Sequence, residues 1–275
     1  MSTPLGDYLR ARRDATTPTA VGLAGGERRR APGLRRSEVA NLAGISVEYL
    51  VRIEQGRDRN PSPAVVNALG DALRLDASER EHLRNVAKCS SGTCGAAAQS
   101  PRLDVRPTVR ALLGQIEPGV AYVTNRLGDL LAYTESFDLL ARPLGLLDGP
   151  WPNLTRFVFA DQRARTVFPE WDLIADERAL PLSFGAPSER SDQLVADLNA
   201  LAGSEFTRRL HGHGVPKSLR QLWSHPVVGE LRFDRETLEL SAADAQQLVV
   251  LLPADEATQT ALNRLHRGGS LALVK

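Results

Sequence analysis

The stretch Ser37–Gly56, SEVANLAGISVEYLVRIEQG, decides how the chain is read. Its punctuation predicts two short helices. Ser37 caps Glu38–Ala43, which stops at Gly44, and Ser46 caps a second helix that runs through Gln55 and closes at Gly56. Val39, Ala40, Ala43, Ile45, Leu50 and Ile53 form the apolar set between them, with Ala40 and Ala43 small where the helices cross. Val47, Glu48, Val51 and Arg52 are then left facing outward. A helix that presents its N-terminal turn in this way fits the major groove of a duplex. Geometry alone fits an ordinary helical hairpin equally well.

The neighbouring residues extend the helical pattern on both sides. Leu5 and Leu9, at i, i+4 spacing among charges, predict a helix over Leu5–Asp14, followed by an irregular Gly- and Arg-rich stretch, Thr16–Leu34. Beyond Pro61-Ser62-Pro63 a helix is expected over Ala64–Leu75. Ser78 with Glu81 matches a capping box opening a fifth helix to about Lys88. The small-residue run at 89–104 reads as a linker. Its Cys89 and Cys94 have no second ligand pair nearby, so they are expected to be incidental thiols, with a redox switch as the alternative.

Past the linker the pattern changes. Val105–Gln115 reads as a helix and Val120–Tyr133 as a hairpin around Gly128-Asp129. Helical segments are expected over Ser136–Ala141, Asn153–Val167, Glu170–Leu180, Ser188–Ala200 and Ser204–His211. Strands are expected at Val228–Phe233, Thr237–Leu240 and Gln247–Leu252, with a last helix from about Asp255 to Arg267. The implied organisation is an all-α domain of about five helices at 1–88, the linker at 89–104, and an α+β domain at 105–275.

Charge is uneven along the chain. The net charge of +1 over 275 residues conceals a net +4 in residues 1–88 and a net −3 in the remainder. A basic end on a near-neutral chain suggests a polyanionic partner for that end alone. No run approaches the ~18 apolar residues of a membrane span, and no signal peptide opens the chain, so no membrane association and a cytoplasmic location are expected.

The residues at 37–56 resemble the helix-turn-helix of the Cro/C1-type (XRE) superfamily, with its Leu-Ala, Gly-Ile-Ser and Ile-Glu-x-Gly elements. The flanks are similar to the MmyB-like branch: Gly22-Leu23, Arg28-Arg29-Arg30, Pro32-Gly33-Leu34-Arg35-Arg36 and Glu54-Gln55-Gly56-Arg57-Asp58-Arg59. Ala121-Tyr122-Val123-Thr124-Asn125-Arg126, Trp171 and His225-Pro226-Val227-Val228-Gly229-Glu230-Leu231 match as well. This resemblance implies a transcription regulator that binds double-stranded operator DNA, with a PAS-like C-terminal domain for a small effector, and no enzymatic activity. The effector implied is apolar, such as a fatty acid, with no other cofactor and no metal. A homodimer is expected because such proteins usually read two half-sites.

Position by position, the resemblance places Val47, Glu48 and Arg52 against bases. Arg52 suits guanine O6/N7, Glu48 cytosine N4 and Val47 a thymine methyl. For Glu48 a merely solvated helix face is the alternative. Arg35, Arg36, Ser46, Arg57 and Arg59 fall where phosphates are held, and Arg28, Arg29 and Arg30 where a phosphate or a minor groove is met. Glu54 is expected to pair with Arg13, with Arg10 as second choice. Candidate ligand-lining residues are Tyr122, Tyr133, Phe157, Phe159, Trp171, Leu210, His213 and Trp223, against the alternative that they simply fill a core. His225 is expected to be a hydrogen-bonded structural histidine. Several positions depart from the family: Tyr133-Thr134 stands for Trp-Asn, Leu210 for Trp, and Ser183 for Arg, which puts the effector's identity in question. The rival function is a helix-turn-helix regulator whose C-terminal domain only dimerises.

Overall fold

The computed structural model describes residues 3–23, 33–90, 103–184, 188–210, 220–240 and 246–272. These form two compact units, one within residues 3–90 and one within 103–272. Among the described residues no helix is long and apolar enough to cross a membrane.

The first unit is helical: α1 (Pro4–Ala15), α2 (Arg36–Leu42), α3 (Val47–Glu54), α4 (Pro63–Ala72) and α5 (Ala77–Ser90), with a 3-10 turn at Pro18–Val21. Leu5, Tyr8 and Leu9 of α1, Leu50 and Ile53 of α3 and Leu83 of α5 are all buried, and α1 packs on both α3 and α5. Two capping expectations need correcting. The first residue of α2 is Arg36, so Ser37 lies inside the helix, and the end is closed by Glu38, whose carboxylate accepts the Arg35 N–H at 2.7 Å. The box that opens α5 is Asp76 with Glu79. Glu79 N–H donates to Asp76 Oδ1 at 2.8 Å and Asp76 N–H to Glu79 Oε2 at 2.9 Å. Ser78 and Glu81 stand two residues further in, within the helix, which also takes in Cys89. Cys94 lies outside the described residues.

The second unit opens with α6 (Pro107–Ile116), followed by β1 (Val120–Asn125), β2 (Leu130–Tyr133) and α7 (Glu135–Ala141). A helical layer follows: α8 (Leu154–Ala160), α9 (Ala164–Val167), α10 (Trp171–Phe184), α11 (Glu189–Ala202) and α12 (Ser204–Leu210). The chain then returns through β3 (Arg220–His225), β4 (Gly229–Glu239) and β5 (Gln246–Pro253) to α13 (Glu256–Ala272). The strands make one antiparallel sheet in the order β2-β1-β5-β4-β3. This is the α+β domain that the alternation of elements implied.

The sheet is clad on both faces near β1, so all six β1 residues are buried. Val120 and Tyr122 face the main core with the helical layer, while Ala121 and Val123 pack with Val109 and Leu113 of α6. The β1–β2 turn is fixed by Asp129, which accepts from Asn125 and Asn153 at 2.8 Å and from Arg190 twice at 3.1 Å. Burial by itself raises the Asp129 pKa, but these hydrogen bonds and the guanidinium outweigh it and hold the carboxyl below its ordinary value.

Four element readings change. The segments Val228–Phe233 and Thr237–Leu240 belong to one eleven-residue strand, β4. β3 is an additional strand. Asn153–Val167 divides into α8 and α9, and α10 passes through Pro181 to Phe184, beyond the expected end at Leu180.

At the end of β3, His225 is buried and its Nδ1 accepts the N–H groups of Val227 at 3.1 Å and Val228 at 3.3 Å. Burial holds its pKa below the ordinary 6.5, an effect the Leu140 main chain partly offsets. The folded state therefore favours the neutral ring, and its contribution is complete above the unfolded pKa and declines as pH falls through the folded one. We predict that the melting temperature of the C-terminal unit drops from about pH 7.5 to 5.5, and that His225→Asn lowers the plateau while flattening this slope. A wild-type profile flat across that interval would remove His225 as the cause.

Candidate nucleic-acid interface and effector domain

Glu54 organises the N-terminal site. It sits in the last turn of α3, only 1% exposed, and a buried carboxylate must be neutralised by partners. Arg13 Nε meets its Oε1 at 3.0 Å and Arg36 Nε its Oε2 at 2.7 Å. Arg10 reaches the Glu54 carbonyl at 3.1 Å. The expected partner, Arg13, is thus in place, and Arg13 also donates to the Leu34 carbonyl at 2.9 Å. One residue earlier on α1, Arg12 pairs with the buried Glu79 of α5, and Tyr8 Oη donates to the Glu79 carbonyl at 3.3 Å. Burial pushes the Tyr8 phenol well above its usual range.

The approach of α1 to α3 depends on Gly6, whose missing Cβ would lie 2.3 Å from the Glu54 carbonyl oxygen. The turn between α2 and α3 needs Gly44 at φ +64°, a left-handed conformation that glycine adopts without steric cost. Ser46 then caps α3, its Oγ accepting the Tyr49 N–H at 3.0 Å.

With Leu50, Ile53 and Glu54 turned inward, α3 presents Val47, Glu48 and Arg52 to solvent. The Arg52 guanidinium lies over the Tyr49 ring, 5.4 Å from its centroid. Arg35, Arg57 and Arg59 are exposed at the flanks, Arg59 Nε donating to the Gly56 carbonyl at 3.3 Å. Arg36 differs from the other flanking arginines because its Nε is committed to Glu54. The triplet Arg28, Arg29, Arg30 lies outside the described residues. Gly6 and the Asp76–Glu79 box were not singled out by the sequence reading. A glycine on the buried stripe of a helix and an acidic pair three residues apart are the signals that point to them.

In the second unit the aromatic candidates pack on one another. Phe159 stacks edge-on against Trp171 and Phe206, and Trp223 against Phe168 and Phe233, with centroids 4.9 to 6.1 Å apart. Phe157 meets Phe168, and Tyr122 meets Phe137 at 4.8 Å. Trp171 Nε1 donates to the Val158 carbonyl at 2.9 Å and Trp223 Nε1 to Gln221 Oε1 at 3.1 Å, so both indoles are satisfied internally. Leu210 is partly buried against the same core. Tyr133 instead is part-exposed and lines an open groove of about 490 Å³ with Arg110 and Glu117. His213 lies outside the described residues. A larger cavity, about 670 Å³, lies where the end of β5 meets α13 and the α6–β1 turn.

The first unit is thus a helix-turn-helix motif tied together by a buried glutamate, with its second helix exposed, and it is followed by a separate α+β domain. Residues 4–83 match the helix-turn-helix domain family and residues 105–265 the MmyB-like transcription regulator ligand binding domain. The chain therefore belongs to the MmyB-like transcription regulators. No curated protein matches it. Both matched domains are regulatory: the first implies DNA as partner and the second a small-molecule effector.

Two variants test the lock. Glu54→Gln should destabilise the N-terminal unit by about 3 kcal/mol, chiefly because the largely buried Arg13 guanidinium loses its counter-charge, while the exposed Arg36 can rehydrate. Gly6→Ala should have a comparable effect through steric exclusion of α1. Thermal unfolding of the N-terminal unit measures both, and wild-type stability in either variant would show that the lock does not hold the motif.

Proposed function

We propose that the chain is a homodimeric regulator that reads operator DNA through the exposed face of α3 and changes its DNA affinity when a small apolar molecule occupies the C-terminal domain. The observation that carries the DNA reading is the division of α3: its inward face is fixed by Leu50, Ile53 and the Glu54 lock, leaving Val47, Glu48 and Arg52 outward at the end where recognition helices meet bases. Tyr49 stacks on the Arg52 guanidinium and restricts its rotamers, which favours a bidentate contact to guanine. Glu48 suits a cytosine amino group and Val47 a thymine methyl. Arg35, Arg57, Arg59 and the Ser46 hydroxyl hold phosphates, and the second Arg36 edge, beyond its bond to Glu54, does the same. Arg28, Arg29 and Arg30 extend the basic footprint.

The effector reading rests on the family of the second domain. A second reading, in which that domain only dimerises, is favoured by the interlocked aromatic core, where the candidate rings fill one another's space. In either case two copies place two α3 helices on half-sites about one helical turn, roughly 34 Å, apart.

Anisotropy titration on duplexes enriched from a random pool separates these roles. Arg52→Ala should weaken the selected duplex by about 10- to 100-fold and relax preference at one base position. Arg57→Ala should weaken all duplexes alike and reduce the salt slope by about one. Equal loss on selected and scrambled duplexes for Arg52→Ala would exclude it as a base reader. A sedimentation experiment showing one protomer per duplex would exclude the dimer.

A further inference from the structure

The open groove between α6 and the edge strand β2 is absorbed neither by the aromatic core nor by the DNA-binding face. Its α6 wall is made of Arg110, Leu113, Gly114 and Glu117, the i, i+3, i+4, i+7 spacing of one helix face. Leu113 is buried on the sheet, and Arg110, Gly114 and Glu117 stand exposed beyond it. The other wall is β2, ending at Tyr133, which is 37% exposed although its ring meets Phe137. Trp151, in the adjoining loop, is 70% exposed. Its neighbour Pro152 accepts the Leu130 N–H at 2.9 Å, so this loop runs beside the same strand. Tyrosine, tryptophan and arginine exposed along one edge are the residue types that concentrate at the energetic centres of protein interfaces.

The charges indicate which protein fits. Arg110 has no hydrogen-bond or ion-pair partner among the described residues. Glu117 stands two turns further along the same side. Its carboxylate accepts the Glu135 N–H and, at 2.9 Å, the Ser136 hydroxyl, with no cation against it among the described residues. One cation and one anion, centred between Leu113 and Gly114, make this side of α6 complementary to itself. In a second copy lying antiparallel across the first, Arg110 meets the partner's Glu117 and Glu117 meets the partner's Arg110. Gly114 falls at the crossing point. A Cβ there would meet nothing within 4 Å, so packing within the chain does not require the glycine, although glycine weakens a helix relative to alanine. A bare backbone at the crossing lets two helices approach closely.

We infer that this edge is the dimerisation surface: two copies pair through antiparallel α6 helices that cross at Gly114, with reciprocal Arg110–Glu117 ion pairs and Tyr133 covered by the partner. The inference rests on the homodimeric reading given above and supplies its surface. Such a contact uses the same patch on both copies, so it closes at two. The ion pairs fix register and orientation, while cover of Tyr133 and Leu131 holds the copies together. Because α6 opens the second unit, the pairing joins the copies at the element nearest in sequence to the DNA-binding unit.

The test uses the full-length protein, with mass read by sedimentation equilibrium and native mass spectrometry, free and on a selected duplex. The wild type should be a dimer. Arg110→Glu and Glu117→Arg each set like charges opposite one another twice, and each alone should weaken the dimer by about 100-fold. An equimolar mixture of these two variants should recover the dimer as a heterodimer, since both pairs are then of opposite sign. Gly114→Gln, projecting into open space, should separate the copies. Unchanged circular dichroism spectra verify that each variant folds.

A dimer that persists in all three variants would overturn this surface and leave the homodimeric reading intact. Dissociation of both charge variants without recovery on mixing would overturn the reciprocal pairing. A wild type that is monomeric alone and binds as one protomer per duplex would defeat the surface and the homodimeric reading together. A wild-type monomer that carries a small molecule which Gly114→Gln expels would assign the groove to that molecule instead.

Discussion

The N-terminal unit depends on a carboxylate that has no business in a protein interior unless it is paired. Glu54 is held by Arg13 from α1 and Arg36 from α2, so one buried charge ties three helices together. Arg12 repeats the device with Glu79 of α5. Neighbouring arginines on α1 thus clamp two different helices through two buried glutamates. Such pairs contribute little net stability against an apolar replacement, but breaking one leaves an uncompensated charge, so they select a single helix arrangement. The orientation of α3 follows from this arrangement, together with the close α1–α3 contact at Gly6 and the left-handed turn at Gly44.

The second unit uses a different logic. Its helical layer and sheet are joined by interlocked rings running from Phe206 through Phe159 to Trp171, and from Phe157 through Phe168 and Trp223 to Phe233. Trp171 is flanked by the guanidinium groups of Arg165 at 3.8 Å and Arg209 at 4.7 Å, which seals the outer end of the layer with cations stacked on the indole. A core of this kind resists deformation.

Much of the first unit was legible because its signals are local. The Ser46 cap, the glycine stops and the apolar stripe of α3 sit within a few residues of one another, and Arg13 as the partner of Glu54 followed from the family pattern. What the sequence concealed were features that need a third dimension. Ser37 is as good a cap as Ser46, and only the packing of Arg36 onto Glu54 moves the start of α2 back by two residues. β3 escaped because its inward residues are Gln221, Trp223 and His225, two of them polar, so the hydrophobic alternation of a strand is absent. β4 read as two strands because Asp234, Arg235 and Glu236 interrupt it. In the folded chain Arg235 is turned inward to pair with Glu177, and Asp234 pairs across to Arg220 at 3.0 Å. Of the aromatic residues named as ligand contacts, Tyr122, Phe157, Phe159, Trp171 and Trp223 lie together in the core and Tyr133 is exposed, and type and spacing cannot distinguish rings that line a cavity from rings that fill it.

The account's central claim is that the outward face of α3 lies against bases. A photo-crosslinking amino acid placed at position 47, where Val47 is exposed at the first turn of α3, tests it directly with duplexes selected for binding. The account predicts adducts at one or two adjacent bases in each half-site, with the two sets separated by about one helical turn. Adducts spread evenly along the duplex, or none from position 47 while the protein still binds, would show that α3 is not the element that reads the sequence.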